Sequence, residues 1–227
     1  MKYLHLLFDA DDTLFDFPKA SARAFSEMCQ RNRIPETPGL YQFYHNINLS
    51  LWAAFDRGEV TKDFVVLERY VRLFRELDIQ RDPAQCNRDY LEVLGNTLYP
   101  LPHAEAVCRE LFRRGHKLYL VTNAVASVQK SRLSICPFAD VFTASFISEE
   151  AGASKPQKAY YDYVQSRVPG LSRENTLVIG DSLSTDMEGA NRAELPCCWF
   201  NPTQRAKPDG LRIDYTISDL RQLLEIV

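Results

Sequence analysis

The sequence predicts an α/β fold: a parallel sheet covered by helices on both faces, with an all-helical insertion after the first strand. Three observations predict it. Short apolar runs that are nearly continuous recur along the chain, as in strands buried on both faces. Helical patterns separate those runs, which implies parallel strands joined by crossovers. One long block, residues 16–97, is patterned as helix throughout.

The apolar run at residues 3–8 is the first strand, and it ends abruptly in carboxylates. Further strands are expected at 117–121, 144–147, 176–179, 197–200 and 215–217. Helices are expected between them at 103–114, 124–133, 157–168 and 185–193, with a closing helix at 219–226. The insertion reads as a four-helix bundle. Its first helix, 19–32, carries Ala20, Ala24, Phe25 and Met28 at helical spacing behind Pro18. Thr37-Pro38 opens the second, with the stripe Leu40, Tyr44, Ile47, Leu51 and Ala54, and Gly58 ends it. The third, from Thr61 to about residue 78, has two stripes: Phe64, Leu67, Val71 and Phe74, then Val66, Tyr70, Leu73 and Leu77. Two apolar sides predict a helix buried between partners. Asp82-Pro83 opens the fourth, which ends near Gly95 or Thr97. The expected division is a core of 1–15 and 98–227 and a helical cap of 16–97. Pro18 and Pro100-Pro102 mark its joints.

Composition narrows the class. Of 227 residues 45% are hydrophobic, enough for a globular core. A net charge of −3 gives no electrostatic case for binding a nucleic-acid polymer. Cys29, Cys86, Cys108, Cys136, Cys197 and Cys198 form no C-x-x-C pair, and read as reduced, packed thiols. Cys197 and Cys198 should face opposite sides of one strand. The first apolar run is too short for a signal peptide and no segment has membrane-spanning length, so a soluble cytoplasmic protein is expected.

The polar residues at the predicted strand ends carry the chemistry. Asp9 and Asp11 follow the first strand with one small residue between them. Paired carboxylates repel unless a cation or a proton sits between them. Thr122-Asn123 follow the second strand, where hydroxyl, amide and free N–H groups suit a phosphate, or simply cap a helix. Lys155 precedes Pro156; taken alone it would be a solvated surface lysine. Gly180-Asp181 close the fourth strand with Asp186 five residues beyond. Asp181 and Asp186 are ordinary turn and helix-start residues singly. With Asp9 and Asp11 they make an oxygen-rich cluster of the kind Mg²⁺ uses.

The set Asp9-x-Asp11-x-Thr13-Leu14, Thr122-Asn123, Lys155-Pro156 and Gly180-Asp181-x₄-Asp186 resembles the four signature motifs of the haloacid dehalogenase superfamily of phosphohydrolases. The resemblance covers the whole chain and includes the helical insertion, which is similar to that family's cap. A closer likeness is to its pyrimidine 5'-nucleotidase subgroup. It rests on residues 8–15, Asn48-x-x-x-Trp52, Ser148-Glu149-Glu150-x-Gly152-x-x-Lys155-Pro156 and Cys198-Trp199-Phe200-Asn201.

The resemblance implies a Rossmann-like core and a two-step hydrolysis of phosphate monoesters. Asp9 is the nucleophile and Asp11 the general acid and base, while Asp12 faces away. Mg²⁺, with Mn²⁺ or Co²⁺ as substitutes, would be held by Asp9, the Asp11 backbone carbonyl and Asp181, with Asp186 supporting through water. Thr122, Asn123 and Lys155 would bind the phosphate oxygens. Asp11 argues against dehalogenation, because the dehalogenases of the superfamily lack that second acid. Phosphonate hydrolysis would need a cap lysine, and Lys19 and Lys62 read as surface groups.

Substrate choice is expected in the cap. Tyr41, His45, Asn48, Trp52 and Phe55 recur on one helical face, where an aromatic could stack on a base and Asn48 read its edge; alternatively Trp52 and Phe55 complete the bundle core. Phe15 and Phe17, next to the carboxylates, are expected to touch the leaving group. The alternatives are a sugar-phosphate phosphatase, a phosphomutase, and a non-catalytic phosphate-ligand-binding regulator. The expected partner is a small phosphate monoester, with the chain a monomer or a homodimer.

Overall fold

The computed structural model describes residues 2–227. One parallel six-stranded sheet forms its centre. Its strands are β1 (His5–Phe8), β2 (Lys117–Thr122), β3 (Phe142–Ile147), β4 (Thr176–Gly180), β5 (Cys197–Phe200) and β6 (Tyr215–Ile217). Their order in space is β3-β2-β1-β4-β5-β6. The chain winds outward on one side of β1 and then, from β4, on the other. The order therefore reverses between β1 and β4, and open α/β sheets bind ligands outside the carboxyl ends at such a point.

The chain forms two compact units, one of Pro18–Thr97 and one of Leu98–Val227 with the residues up to Phe17. The helical unit contains α1 (Phe17–Arg31, which enters from the joint), α2 (Leu40–Asp56), α3 (Lys62–Glu76) and α4 (Pro83–Gly95). Caps anticipated from sequence are present. Thr61 Oγ1 accepts from the Phe64 N–H and Asp82 accepts from the Ala84 N–H, with Pro83 opening α4. Gly58 follows α2 with φ 76°, a conformation glycine adopts without strain.

The core unit adds α5 (Ala104–Arg113), α6 (Ala126–Ser134), α7 (Ser148–Ala151), α8 (Lys158–Arg167), α9 (Glu188–Arg192) and α10 (Leu223–Ile226). Alternate strand residues feed two cores. Leu6, Phe8, Leu118, Leu120, Leu177, Ile179 and Cys198 pack with Val107 and Leu111 of α5 and Leu223 of α10. Leu7, Tyr119, Val121, Val178 and Cys197 pack on the opposite face with Tyr160 and Val164 of α8 and Ala190 of α9. Apolar residues on both faces explain why the strands read as continuous runs. Cys197 and Cys198 do point to opposite cores.

Two expectations about elements are corrected. The stretch 185–193 is not one α-helix: Leu183–Met187 forms a wide π-type turn in which the Met187 N–H reaches Ser182 O at 3.1 Å, and α9 follows it. The third cap helix is buried on one side only. Val65, Arg69, Tyr70, Leu73 and Phe74 face the bundle, whereas Phe64, Leu67 and Val71 are exposed. Within the bundle α3 packs on α2 and α4. The face that buries also carries a charge. Arg69 donates to Asn48 Oδ1 at 3.0 Å, Asn87 Oδ1 at 2.8 Å and Val66 O at 3.2 Å, and lies over the rings of Tyr90, Tyr70 and Tyr44. The joint at 99–102 is paired with the loop after β1. The Asp16 N–H donates to Tyr99 O and the Leu101 N–H to Leu14 O, both at 2.8 Å.

Candidate active site

Asp9 stands one residue beyond β1. Phe8 is level with Leu120 of β2 and Ile179 of β4, and the Asp9 N–H extends the pairing to Ile179 O at 2.8 Å. The end of β4, Gly180-Asp181, is thus beside Asp9 by strand register alone. The π-type turn after β4 sends Asp186 back into the same space. Asp186 Oδ2 accepts from the Ser182 N–H at 3.1 Å, and the side chain is only 1% exposed. Gly180 is required there: a Cβ on it would lie 2.3 Å from Asp186 Cγ.

Lys155 supplies the opposite charge. Its side chain is 2% exposed, and its three ammonium donors are all used, on Asp9 Oδ1 at 2.6 Å, Asp186 Oδ1 at 2.7 Å and Val121 O at 2.9 Å. Its backbone is fixed by Asn123, whose Nδ2 donates to Lys155 O at 2.9 Å and whose Oδ1 accepts from the Lys155 N–H at 3.0 Å. Thr122 is buried at the end of β2. Its N–H donates to the Tyr160 hydroxyl oxygen at 3.0 Å and its Oγ1 accepts from the Ala124 N–H at 3.1 Å. Neither Thr122 nor Asn123 caps α6, whose N-cap is Val125.

The electrostatics are those of an acidic cluster short of positive charge. Burial pushes the Asp9 carboxyl well above the usual range against the pull of Lys155, and Asp186 and Asp181 push it further. Burial, then Asp186 and Asp12, raise Asp181 to about 7. Burial alone would lower the Lys155 ammonium, but Asp186 and Asp9 hold it above the ordinary lysine range. Asp9, Asp181 and Asp186 each offer an oxygen, and these atoms lie within 4.8 Å of one another. Two buried carboxylates and the half-buried Asp181, facing a single ammonium, fit a hard divalent cation, which would balance the remaining charge through oxygen ligands.

Other sequence candidates fall elsewhere. Asp11 pairs with Arg132, whose Nη1 donates to its Oδ1 at 2.5 Å. Asp12, at φ 61°, accepts from the Phe17 N–H at 3.2 Å; burial, then Asp11, raise it to about 7. Phe15 is not placed to touch a leaving group. It is fully buried in the sheet-face core, with its ring centroid 5.9 Å from that of Phe138. Phe17 is half-buried. Asn48 is 1% exposed and its amide oxygen is taken by Arg69, which gives it to the bundle core and not to a ligand's edge. Trp52 is half-buried and packs edge-on against Phe55.

Several contributors have no role in the site predicted from sequence, among them Trp199, which enters there only through the likeness at 198–201. The Asp181 backbone oxygen accepts from Trp199 Nε1 at 2.9 Å and Arg205 Nη2 at 3.0 Å, and Arg205 lies over the Trp199 ring. Tyr160 links Thr122 to Phe146 O. Arg132 is the largest omission: a lone arginine on a helix predicts a solvated surface, yet its side chain is wholly buried.

A parallel sheet whose strand order reverses between β1 and β4 carries acids at both strand ends with a lysine between them. The chain belongs to the haloacid dehalogenase-like hydrolases, whose family model matches residues 6–200. It is 36% identical to the Bacillus subtilis HAD-hydrolase YfnB, over all of this chain and 96% of that one. A crystal structure of YfnB bound to magnesium superposes with a TM-score of 0.94, covering 100% of this chain and 99% of that chain. The chain is also 29% identical to two proteins named pyrimidine 5'-nucleotidase. One is PynA of Streptococcus pneumoniae, matched over 99% of this chain and 95% of PynA; the other is YjjG of Escherichia coli, over 100% and 99%. Among the described residues no helix is long and apolar enough to cross a membrane.

Proposed function

We propose that this protein hydrolyses phosphate monoesters through an aspartyl-phosphate, and that its substrates are pyrimidine nucleoside 5'-monophosphates. The observation that carries the chemistry is the cluster of buried Asp9, Lys155 and Asp186 with half-buried Asp181 at the carboxyl ends of β1 and β4, and Asp11 two residues from Asp9. The nucleotide reading is supported by the full-length likeness to PynA and YjjG.

In the first step an Asp9 carboxylate oxygen bonds to phosphorus while the ester P–O bond breaks, and Asp11 gives a proton to the departing oxygen. In the second step a water oxygen bonds to phosphorus, its proton passes to Asp11, and Asp9 leaves as carboxylate. The Lys155 ammonium, the Thr122 hydroxyl and the Asn123 N–H steady the phosphoryl oxygens. Asp9 and Asp181, with the Asp11 backbone carbonyl and support from Asp186, would hold a Mg²⁺ ion, which neutralises charge on the phosphoryl group.

The test is phosphate release from a panel of nucleoside monophosphates and sugar phosphates, with and without Mg²⁺. Metal-dependent release fastest from UMP, dUMP or dTMP is expected. Faster release from sugar phosphates overturns the nucleotide assignment and leaves the chemistry. Isomerised product without free phosphate overturns hydrolysis.

A further inference from the structure

We infer that Arg132 is a positioning residue for Asp11, fixing one carboxylate oxygen so that the other delivers the proton to the leaving group. The inference rests on the phosphohydrolase reading above and extends it to a residue outside the four sequence motifs. Arg132 lies on α6, and its side chain is 0% exposed. Its Nη1 donates to Asp11 Oδ1 at 2.5 Å, and its guanidinium lies 5.2 Å from the centre of the Phe15 ring. Phe15 ends the loop that carries Asp11: the Phe15 N–H donates to Ala10 O at 3.0 Å and the Asp12 N–H to Phe15 O at 2.7 Å. Arg132 therefore grips this loop twice, through the Asp11 carboxylate and through the Phe15 ring.

The remaining donors of Arg132 point to a role beyond packing. Among the described residues, its Nε and Nη2 are buried without a hydrogen-bond partner. Gln129, one turn earlier on the same helix, is equally buried with neither side-chain atom partnered. A structural buried arginine is normally saturated, because each orphaned polar group is costly. Arg69 in the helical unit meets that standard, with Nε, Nη1 and Nη2 all on oxygens. Arg132 keeps its charge buried for one side-chain hydrogen bond, and the acceptor is the proposed acid. A charge-assisted bond to Oδ1 sets the rotamer of Asp11 and leaves Oδ2 to carry the proton. Proton delivery depends on placement to a fraction of an ångström, which is what such a bond supplies.

The test uses the leaving group as the readout. kcat/KM is measured with Mg²⁺ across ring-substituted phenyl phosphates, from p-nitrophenyl to unsubstituted phenyl, for the wild type, Asp11→Asn, Arg132→Met and Arg132→Lys. Protonation of the leaving oxygen flattens the dependence on leaving-group basicity, so Asp11→Asn should steepen it. Arg132→Met should steepen it too, losing about 10- to 100-fold on phenyl phosphate and less than about threefold on p-nitrophenyl phosphate. Arg132→Lys, which retains a buried cation without the planar fork, should fall between. In an Asp11→Asn background Arg132→Met should cost nothing further. An equal loss on every ester from Arg132→Lys, or full additivity with Asp11→Asn, overturns the inference and leaves Asp11 as the acid. If Asp11→Asn itself leaves the slope unchanged, the acid assignment fails first. A wild type inactive on every ester removes the phosphohydrolase reading and the inference with it. Circular dichroism on each variant separates misfolding from these outcomes, and if Arg132→Met does not fold, Arg132→Lys decides.

Discussion

The side-chain amide of Asn123 and the backbone of Lys155 exchange two hydrogen bonds, at 2.9 and 3.0 Å. This clamp joins the loop after β2 to the segment before α8 and aims the lysine at Asp9. Asn123→Ala removes both bonds at once. The expected result is a fall in kcat of about 10- to 100-fold, roughly 1.4–2.7 kcal/mol of barrier, with the fold intact by circular dichroism. Unchanged turnover would mean that Lys155 is placed by its ammonium contacts alone.

Asp11 and Asp12 are adjacent and differently engaged, one by Arg132 and the other by the Phe17 N–H. Asp12→Asn should keep most of the activity, because a neutral amide still accepts that bond. Asp11→Asn should be nearly inactive on alkyl phosphates. Steady-state rates for the two variants decide the assignment, and the reverse ranking would move the acid to Asp12.

Gly180 lies where a methyl group would meet the Asp186 carboxyl at 2.3 Å. Gly180→Ala should lower the melting temperature and abolish any Mg²⁺-induced stabilisation, since Asp186 must move to make room. A melting curve like that of the wild type, with its metal response retained, would contradict the packing described for this turn.

Magnesium should stabilise the folded chain. An ion that binds only the folded state adds about 2.7 kcal/mol at a hundredfold excess over its dissociation constant. Thermal melts with increasing Mg²⁺ should therefore shift upward, and Asp181→Asn should reduce the shift. No shift in the wild type would argue against a divalent site at Asp9, Asp181 and Asp186.

All six cysteines are free and buried. Burial raises the Cys29 thiol to about 12 and those of Cys86 and Cys197 to about 11. Thiolate, the reactive form, is correspondingly scarce at neutral pH and grows only as the pH approaches those values. A colorimetric thiol reagent should react slowly with the native protein and with six groups after denaturation. Cys136, the most exposed of them at 9%, should react first.

The sequence was most informative where chemistry and position coincide. Asp9, Thr122 and Asp181 each follow an apolar run, and a strand buried on both faces leaves few other places for them. Periodicity served less well in the helical unit. It reports where apolar side chains repeat along α3, but not whether a neighbour exists to cover Phe64, Leu67 and Val71. It also says nothing of Arg69, whose charge two amide oxygens and three aromatic rings receive on the buried face. Phe15 was legible as a neighbour of the carboxylates but not as a core residue, because one position along a loop can reverse a side chain. Arg132 was not legible at all. Its partner Asp11 is 121 residues away in the chain, and only the folded sheet brings them together.

The pairing of residues 14–16 with 99–101 bears on how this chain was assembled. The two strands of linker leave and re-enter the core side by side, so the core meets the whole insertion as it would meet a long hairpin loop. Closing such a loop costs only a logarithm of its length, and the core therefore imposes almost no limit on what fills it. A short turn joining the paired segments would leave every strand of the sheet and every residue of the acidic cluster in the chain. The helical unit is thus a single excursion of the chain that leaves and returns through one paired stretch of the core.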